Sequence, residues 1–287
     1  MSPAELLKAL ATGAFVALLL VVLRRAGPRA AGLSAALPVT SMPALFWLGL
    51  EHGGGYAADA AVGALWATGL TAALAWIYAR LCVARGAAWG VALALPGVAA
   101  LAWATQAIAT TLVWAGVLAL AVTVIARHQL PQPGTPLQRH SDWRVDALLS
   151  ASVAAAMTTA VTALSQQLEP VLCGLLAAVP VVAMSAVFVT HRQGGTPLVC
   201  RFLHSYLNGM FAKTAFLAAL GLALGHGIGP GAAWPMALSC ALLTLWVQGD
   251  LRRSSPRGLA RAAPPSPLAD PFDKSRSAHP PTLRSPP

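Results

Sequence analysis

The chain contains one apolar run after another, each about as long as a lipid bilayer is thick. A helix that crosses the ~30 Å hydrocarbon core needs about 20 mostly apolar residues. Because 57% of the residues are hydrophobic and only 10% are charged, a single soluble core could not bury this much hydrocarbon. The sequence therefore predicts an all-α polytopic membrane protein, with the lipid bilayer as its first partner.

The apolar runs divide into about nine predicted transmembrane helices. One stretch, 87–126, holds forty residues without a charge, and as a straight helix it would be about 60 Å long. We interpret it as two short helices, 87–105 and 108–126, which turn near Thr105 and Gln106. The other predicted spans are 6–23, 31–50, 57–79, 147–165, 171–190, 200–225 and 231–249.

Two stretches of seventeen residues are copies of one another. Residues 31–47 read AGLSAALPVTSMPALFW and residues 173–189 read CGLLAAVPVVAMSAVFV, with nine identities. The tetrapeptide GAAW at 86–89 also returns at 231–234, at nearly the same separation. The chain thus contains one unit twice. We divide it into a first membrane repeat (1–105), a linking transmembrane helix (106–126), a cytoplasmic linker (127–146), a second membrane repeat (147–250) and a disordered cytoplasmic tail (251–287).

The charges predict how the spans are oriented. Nine spans place seventeen of the nineteen Lys and Arg residues on one side, which the positive-inside rule makes cytoplasmic. The N-terminus is then outside and the C-terminus inside, and the Ala-, Arg- and Pro-rich composition suggests a bacterial inner membrane. The extra helix before the linker turns the second copy upside down. We therefore predict two four-helix repeats of inverted topology, an arrangement that recurs in secondary transporters.

The first copy resembles a known family. The stretches ELLKALATGAFVALLLVVLRR and AGLSAALPVTSMPALF, the Glu51-His52-Gly53 step and a Trp-bearing last span within residues 5–104 are similar to the GlpM family of small bacterial inner-membrane proteins. The resemblance extends more weakly to the second copy, which lacks a counterpart of Lys8 and has Gln193 or its neighbour in place of Glu51. The resemblance implies the helical membrane fold, but it does not indicate which biochemical activity the protein has.

The first candidate substrate-binding residues lie at corresponding positions in the two copies. Pro38 and Pro180 would each remove a backbone donor within a helix, and Thr40 and Ser41 follow the first of them closely. Interrupted helices at matching positions of two halves point to a binding site near the middle of the membrane. The alternative is that the prolines only kink packed helices, with Gly32 and Gly174 allowing close helix contact.

The predicted span at 200–225 supplies the other candidate residues, His204, Asn208 and Lys213. His204 and Asn208 are four residues apart and therefore share a face of the helix. Lys213 would lie ~18 Å along the axis from Arg201 and would need a partner or water there. An intramembrane lysine indicates a functional site, whereas residues closer to the surface, such as Arg201 and His204, can extend to the headgroups.

Other function classes find little support in the sequence. The formal charge of +10 lies mainly in the tail and at span ends, so we expect no nucleic-acid binding. The chain lacks HExxH, GxSxG and a phosphate-binding glycine loop, so we predict neither an enzyme nor a cofactor. We interpret Cys82, Cys173, Cys200 and Cys240 as small buried apolar residues rather than as disulfide partners or metal ligands.

These observations favour a small secondary transporter or exporter of a small, anionic solute that works by alternating access. The alternative is a non-transporting membrane partner that stabilises or assembles another complex. A third class, an intramembrane enzyme, would need acid and base groups at mid-depth, and the sequence offers too few. The sequence leaves open whether the protein is a homodimer or part of a larger membrane complex.

Overall fold

The structure, a computed structural model, is helical throughout the residues that it describes. These residues are 7, 10–14, 38, 41–85, 93, 96–97, 100–105, 111–131, 163, 167–178 and 181–253. The six helices are α1 (Ser41–His52), α2 (Gly54–Arg85), α3 (Leu112–Gln129), α4 (Pro170–Ala177), α5 (Val181–Gly225) and α6 (Pro230–Arg253). A compact unit extends to Leu245, and a second unit begins at Trp246, of which the last turns of α6 are described.

Four of the helical stretches are long and apolar enough to cross a membrane. They are Gly54–Ala84, Leu112–Gln129, Gly195–Gly225 and Pro230–Gly249. They contain or closely match the spans predicted at 57–79, 108–126, 200–225 and 231–249, so the prediction of a helical protein with several apolar spans is confirmed. The spans predicted at 6–23 and 147–165, most of the linker, and the tail beyond residue 253 lie outside the described residues.

Local sequence explains where several helices begin and end. Gly53 separates α1 from α2 with a φ of 89°, which glycine adopts without steric cost. Thr111 caps the start of α3 by accepting a hydrogen bond from the backbone N–H of Trp114 at 3.4 Å. Pro170 begins α4, where its missing N–H costs nothing.

The helix pair α2 and α5 forms the centre of the fold and runs antiparallel. The Cβ position of Gly54 lies 3.6 Å from Leu224, and the Sγ of Cys82 lies 3.6 Å from the hydroxyl of Thr196. We call the two ends of this pair the Gly54 end and the Cys82 end. Because α5 contacts α2 along its length, most of α2 between Ala57 and Cys82 is buried.

Helix α3 runs parallel to α2, although it follows it in the chain. Gly69 approaches Ala119, and farther along Arg80 donates a hydrogen bond from Nε to the carbonyl of Gln129 at 3.1 Å. Between the two helices, Gly97 lies beside Ile77, and Trp66 Nε1 donates a hydrogen bond to Thr105 at 2.9 Å, so this part of the chain runs in the opposite direction. The chain therefore reverses twice between Arg85 and Leu112, as two helices within 87–126 require.

The short helix α4 crosses α2 with their backbones in contact. A Cβ atom on Gly63 would overlap the carbonyl of Val171, and one on Gly174 would overlap the carbonyl of Ala60. Both positions therefore exclude every residue but glycine as long as the helices stay this close. For Gly174, this geometry agrees with the alternative stated above, in which the glycine allows close contact between helices.

The two spans that carry the repeated stretches were predicted with interruptions at their prolines. The span predicted at 171–190 corresponds to two helices, because α4 ends at Ala177 and α5 begins at Val181. Pro180 lies in this gap, and its ring and missing N–H are incompatible with a continuous helix. In the first copy α1 begins at Ser41, three residues after Pro38. Pro43 lies in the first turn of α1, where it is tolerated.

Candidate functional site

Lys213 is a charged residue buried near the middle of a helix that is apolar enough to span a membrane. Its side chain is 5% exposed. The apolar stretch Gly195–Gly225 has Met210 at its centre, and Lys213 lies three residues away, about 4.5 Å along the axis. Within the described part of the chain, Lys213 forms neither a hydrogen bond nor an ion pair. A lysine inside an apolar span is costly even where its stem alone is buried, so such a residue usually has a functional reason.

The helical repeat gives the direction in which Lys213 points. At 100° per residue, Lys213 shares a face of α5 with Tyr206, Met210, Leu217 and Leu220. Leu217 and Leu220 belong to a buried apolar cluster that also contains Leu45 and Leu48 of α1. We call this set the main apolar cluster. Lys213 lies next to Ala212, the member of this cluster on α5 that is nearest the Cys82 end.

Ser41 occupies the corresponding place on α1. It lies one turn before Leu45, on the Cys82 side of the main apolar cluster, and its side chain is completely buried. Its hydroxyl oxygen is one of three buried side-chain atoms in the described residues that lack a hydrogen-bond partner; the others are Trp76 Nε1 and Asn208 Oδ1. Two residues predicted to bind substrate, Ser41 and Lys213, thus each lie beside the main apolar cluster, on different helices.

The remaining polar candidates on α5 do not join this site. His204 is nine residues from Lys213 and so faces the opposite side of the helix. Its Nε2 lies 3.0 Å from the carbonyl of Pro131, to which it donates a hydrogen bond, so it links α5 to the segment after α3. Asn208 donates a hydrogen bond from Nδ2 to the carbonyl of His204 at 2.5 Å. We therefore assign His204 and Asn208 a structural role, although Asn208 Oδ1 remains unsatisfied.

The proline candidates lie where helices begin. Helices α1 and α5 start at Ser41 and Val181, shortly after Pro38 and Pro180. The carbonyl of Pro38 accepts a hydrogen bond from the N–H of Met42 at 2.7 Å. Thr40 and Pro180 themselves lie outside the described residues. The predicted interruptions near the two prolines thus coincide with the starts of the two helices. Of the predicted polar side chains near them, Ser41 lies within the described residues.

Polar contacts of two cysteines were not expected from the sequence. At the Gly54 end, the hydroxyl of Tyr56 donates a hydrogen bond to the carbonyl of Leu168 at 3.2 Å and lies 3.2 Å from Cys173 Sγ. At the Cys82 end, Cys82 Sγ lies 3.6 Å from both His191 Nδ1 and Thr196 Oγ1. We call these the Tyr56 clasp and the Cys82 clasp. Cys82, Cys173 and Cys200 are buried as expected, although the first two also have these polar contacts, whereas Cys240 is exposed and the expectation of burial is wrong for it.

The buried threonines contribute no free polar groups. The hydroxyls of Thr68, Thr71, Thr123 and Thr214 each donate a hydrogen bond to the carbonyl four residues earlier in their own helix. This pattern satisfies a hydroxyl inside an apolar environment and leaves it little capacity for a ligand. Among the described buried polar residues, Ser41 and Asn208 thus keep a side-chain oxygen without a partner, and Lys213 carries a charge.

The described residues contain no group of three or more His, Cys, Asp or Glu side chains arranged to hold a metal ion. Comparisons with protein-family models, with curated proteins and with solved structures give no match. The resemblance to the GlpM family therefore stays a prediction. Any assignment of function has to come from the buried lysine, the helix breaks and the two clasps.

Proposed function

We propose that the protein is a small secondary transporter or exporter of a small anionic solute in a bacterial inner membrane. Its two inverted repeats would alternate between access to one side and access to the other. The observation that carries the proposal is Lys213, a buried cation at mid-depth whose charge no described residue neutralises. A fixed positive charge in a low-dielectric environment favours an anionic ligand and disfavours a cationic one.

The backbone supports the inverted repeat beyond the seventeen-residue stretches. Gly195 follows Gly53 by 142 residues, the separation of the two repeated stretches. Both glycines have positive φ angles, 64° and 89°, and each lies at the start of an apolar helical stretch of 31 residues. These two stretches are antiparallel, as two copies of opposite orientation would be. The matching breaks are suitable positions for hinges, because hinge residues absorb large changes in φ and ψ.

The charges of the described side chains support an orientation. Arg80, Arg127 and Arg201 lie toward the Cys82 end, whereas three carboxylates lie at the Gly54 end, namely Glu51, Asp59 and Glu169. The positive-inside rule then makes the Cys82 end cytoplasmic. With this orientation, the outside N-terminus and cytoplasmic C-terminus of the nine-span arrangement remain our proposal.

The two clasps would close the path at its two ends. Each joins α2, in the first repeat, to a residue of the second repeat, and in this structure both contacts are formed. Alternating access requires that one end open while the other stays closed. We infer that opening breaks the Tyr56 clasp in one state and the Cys82 clasp in the other.

Ion flux into proteoliposomes tests the proposed activity. The purified full-length chain is reconstituted with an internal potassium salt, and the flux of a panel of small inorganic and carboxylate anions is followed with a voltage or pH dye. At least one anion should move faster than in protein-free vesicles. If no anion or cation of the panel moves and the protein purifies with a stoichiometric companion, the alternative of a non-transporting assembly partner is favoured.

Native cysteines allow the coupling between the two ends to be measured without a known solute. We expect Cys173, in a chain carrying Cys200→Ala and Cys240→Ser, to react slowly with a membrane-impermeant maleimide from the Gly54 side. The bulky adduct should hold that end open and slow the labelling of Cys82 from the other side by at least about fivefold, the lower range of typical coupling between sites. Labelling is quantified by mass spectrometry of vesicles of each orientation.

The control is the same treatment of a chain that also carries Cys173→Ala, in which the rate at Cys82 should not change. A rate at Cys82 that is the same with and without the Cys173 adduct would mean that the ends open independently. Such independence would contradict alternating access.

A further inference from the structure

Two arginines at the Cys82 end are held in place without a counterion. Arg80 is fixed by its hydrogen bond from Nε to the carbonyl of Gln129 at 3.1 Å. The guanidinium carbon of Arg127, two residues before Gln129, lies 5.9 Å from the centre of the Phe211 ring. Neither arginine forms an ion pair with any described residue. Their other N–H groups form no hydrogen bond with the described residues, and a guanidinium binds a phosphate through two parallel hydrogen bonds.

An exposed apolar stripe of α3 leads to Arg127. Val113, Val117, Leu120 and Val124 follow one another at intervals of four and three residues, which places them on one face with Arg127. They are 67%, 50%, 48% and 37% exposed, and α3 as a whole is little covered by the rest of the described chain. From Val117 to Arg127 the stripe measures about 15 Å, which is half of the ~30 Å hydrocarbon core.

We propose that this surface binds an anionic phospholipid from the leaflet at the Cys82 end. The phosphate would lie between Arg80 and Arg127, and one acyl chain would follow the stripe from Val124 to Val117. The length of the stripe matches the thickness of one leaflet, which favours a lipid over a soluble anion. A free phosphate would bind the arginines but would make no contact with the apolar residues. Basic sites beside transmembrane helices on the cytoplasmic side are known to bind such headgroups. The proposal goes beyond transport and holds whether or not a solute is moved.

The test measures lipid binding to the full chain in a neutral detergent. Phosphatidylglycerol, phosphatidylcholine and soluble glycerol phosphate are added in turn, and retained lipid is counted by native mass spectrometry while the unfolding temperature is recorded. Phosphatidylglycerol should be retained and should stabilise the wild type, whereas the other two should do neither. The double variant Arg80→Gln/Arg127→Gln should lose at least about tenfold in apparent affinity for phosphatidylglycerol.

The matched control is Arg201→Gln, which removes an exposed arginine of α5 toward the same end and should bind like the wild type. Leu120→Ser, which interrupts the stripe and leaves both arginines, should weaken retention of phosphatidylglycerol severalfold. Equal affinity in the double variant and the wild type would overturn the site, as would an equal loss in Arg201→Gln. Stabilisation of the wild type by glycerol phosphate alone would overturn its assignment to a lipid.

Discussion

Replacing Gly63 or Gly174 by alanine should destabilise the protein more than any other single methyl addition in the described helices. Each new Cβ would overlap a backbone carbonyl of the crossing helix, that of Val171 or Ala60. A backbone atom cannot move aside as a side chain can, so α2 and α4 would have to separate. Overpacking costs about 1–3 kcal/mol when side chains adjust, and we expect a loss at or above about 3 kcal/mol here. The measurement is the free energy of unfolding in mixed detergent micelles.

Gly116→Ala is the matched control, because Gly116 lies inside α3 and a Cβ there would meet no atom within 4 Å. Alanine in a helix is more stable than glycine by about 0.5–1 kcal/mol, so this variant should be slightly stabilised. Equal losses in all three variants would contradict the close crossing of α2 and α4.

The second large effect concerns Lys213, for which stability and transport should change in opposite directions. Methionine is similar in length but apolar, so Lys213→Met removes the cost of burying an unpaired ammonium. We expect the free energy of unfolding to rise by about 1–3 kcal/mol, while the anion flux falls to that of protein-free vesicles. Lys213→Arg keeps the charge and should retain part of the flux.

Met210→Leu serves as a packing control, because it alters a buried residue on the same face of α5 without changing charge. It should leave the flux near that of the wild type. A Lys213→Met variant that transports normally would remove the lysine from the mechanism. A clear loss of stability in this variant would show that the lysine is paired, so that its charge is not available to a solute.

Hydropathy and charge predicted the parts of the fold that depend on the membrane. The stretch 57–79 is mostly apolar, with Asp59 near its start, and its helix is found with ends only a few residues farther out. The need to fit 87–126 into a bilayer led to the prediction of two helices, of which α3 is the second. The helical class and the apolar spans could be predicted because a transmembrane segment is selected mainly by length and hydrophobicity, both of which are local.

The site was predicted in part, and what was missed depends on distant contacts. Lys213 could be predicted because a lysine within an apolar segment is recognisable from the sequence alone. The Tyr56 and Cys82 clasps join residues 117 and 109 positions apart, and nothing near Tyr56 or Cys82 in the sequence indicates its partner. His204 and Lys213 were both predicted as candidate residues of one span, but nine residues correspond to half a rotation of a helix and place the two side chains on opposite faces.

The antiparallel pairing of α2 with α5 also has a consequence for biosynthesis. Between Ala84 and Gly225 the ribosome must add 141 residues, which takes roughly 7–30 s at about 5–20 residues per second. During that time the buried face of α2 has no α5 to contact and must be in contact with lipid or with the insertion machinery. Because this face consists mainly of alanine and leucine, with Thr68 and Thr71 bonded to their own helix, most of the nascent helix is compatible with the bilayer before α5 is made.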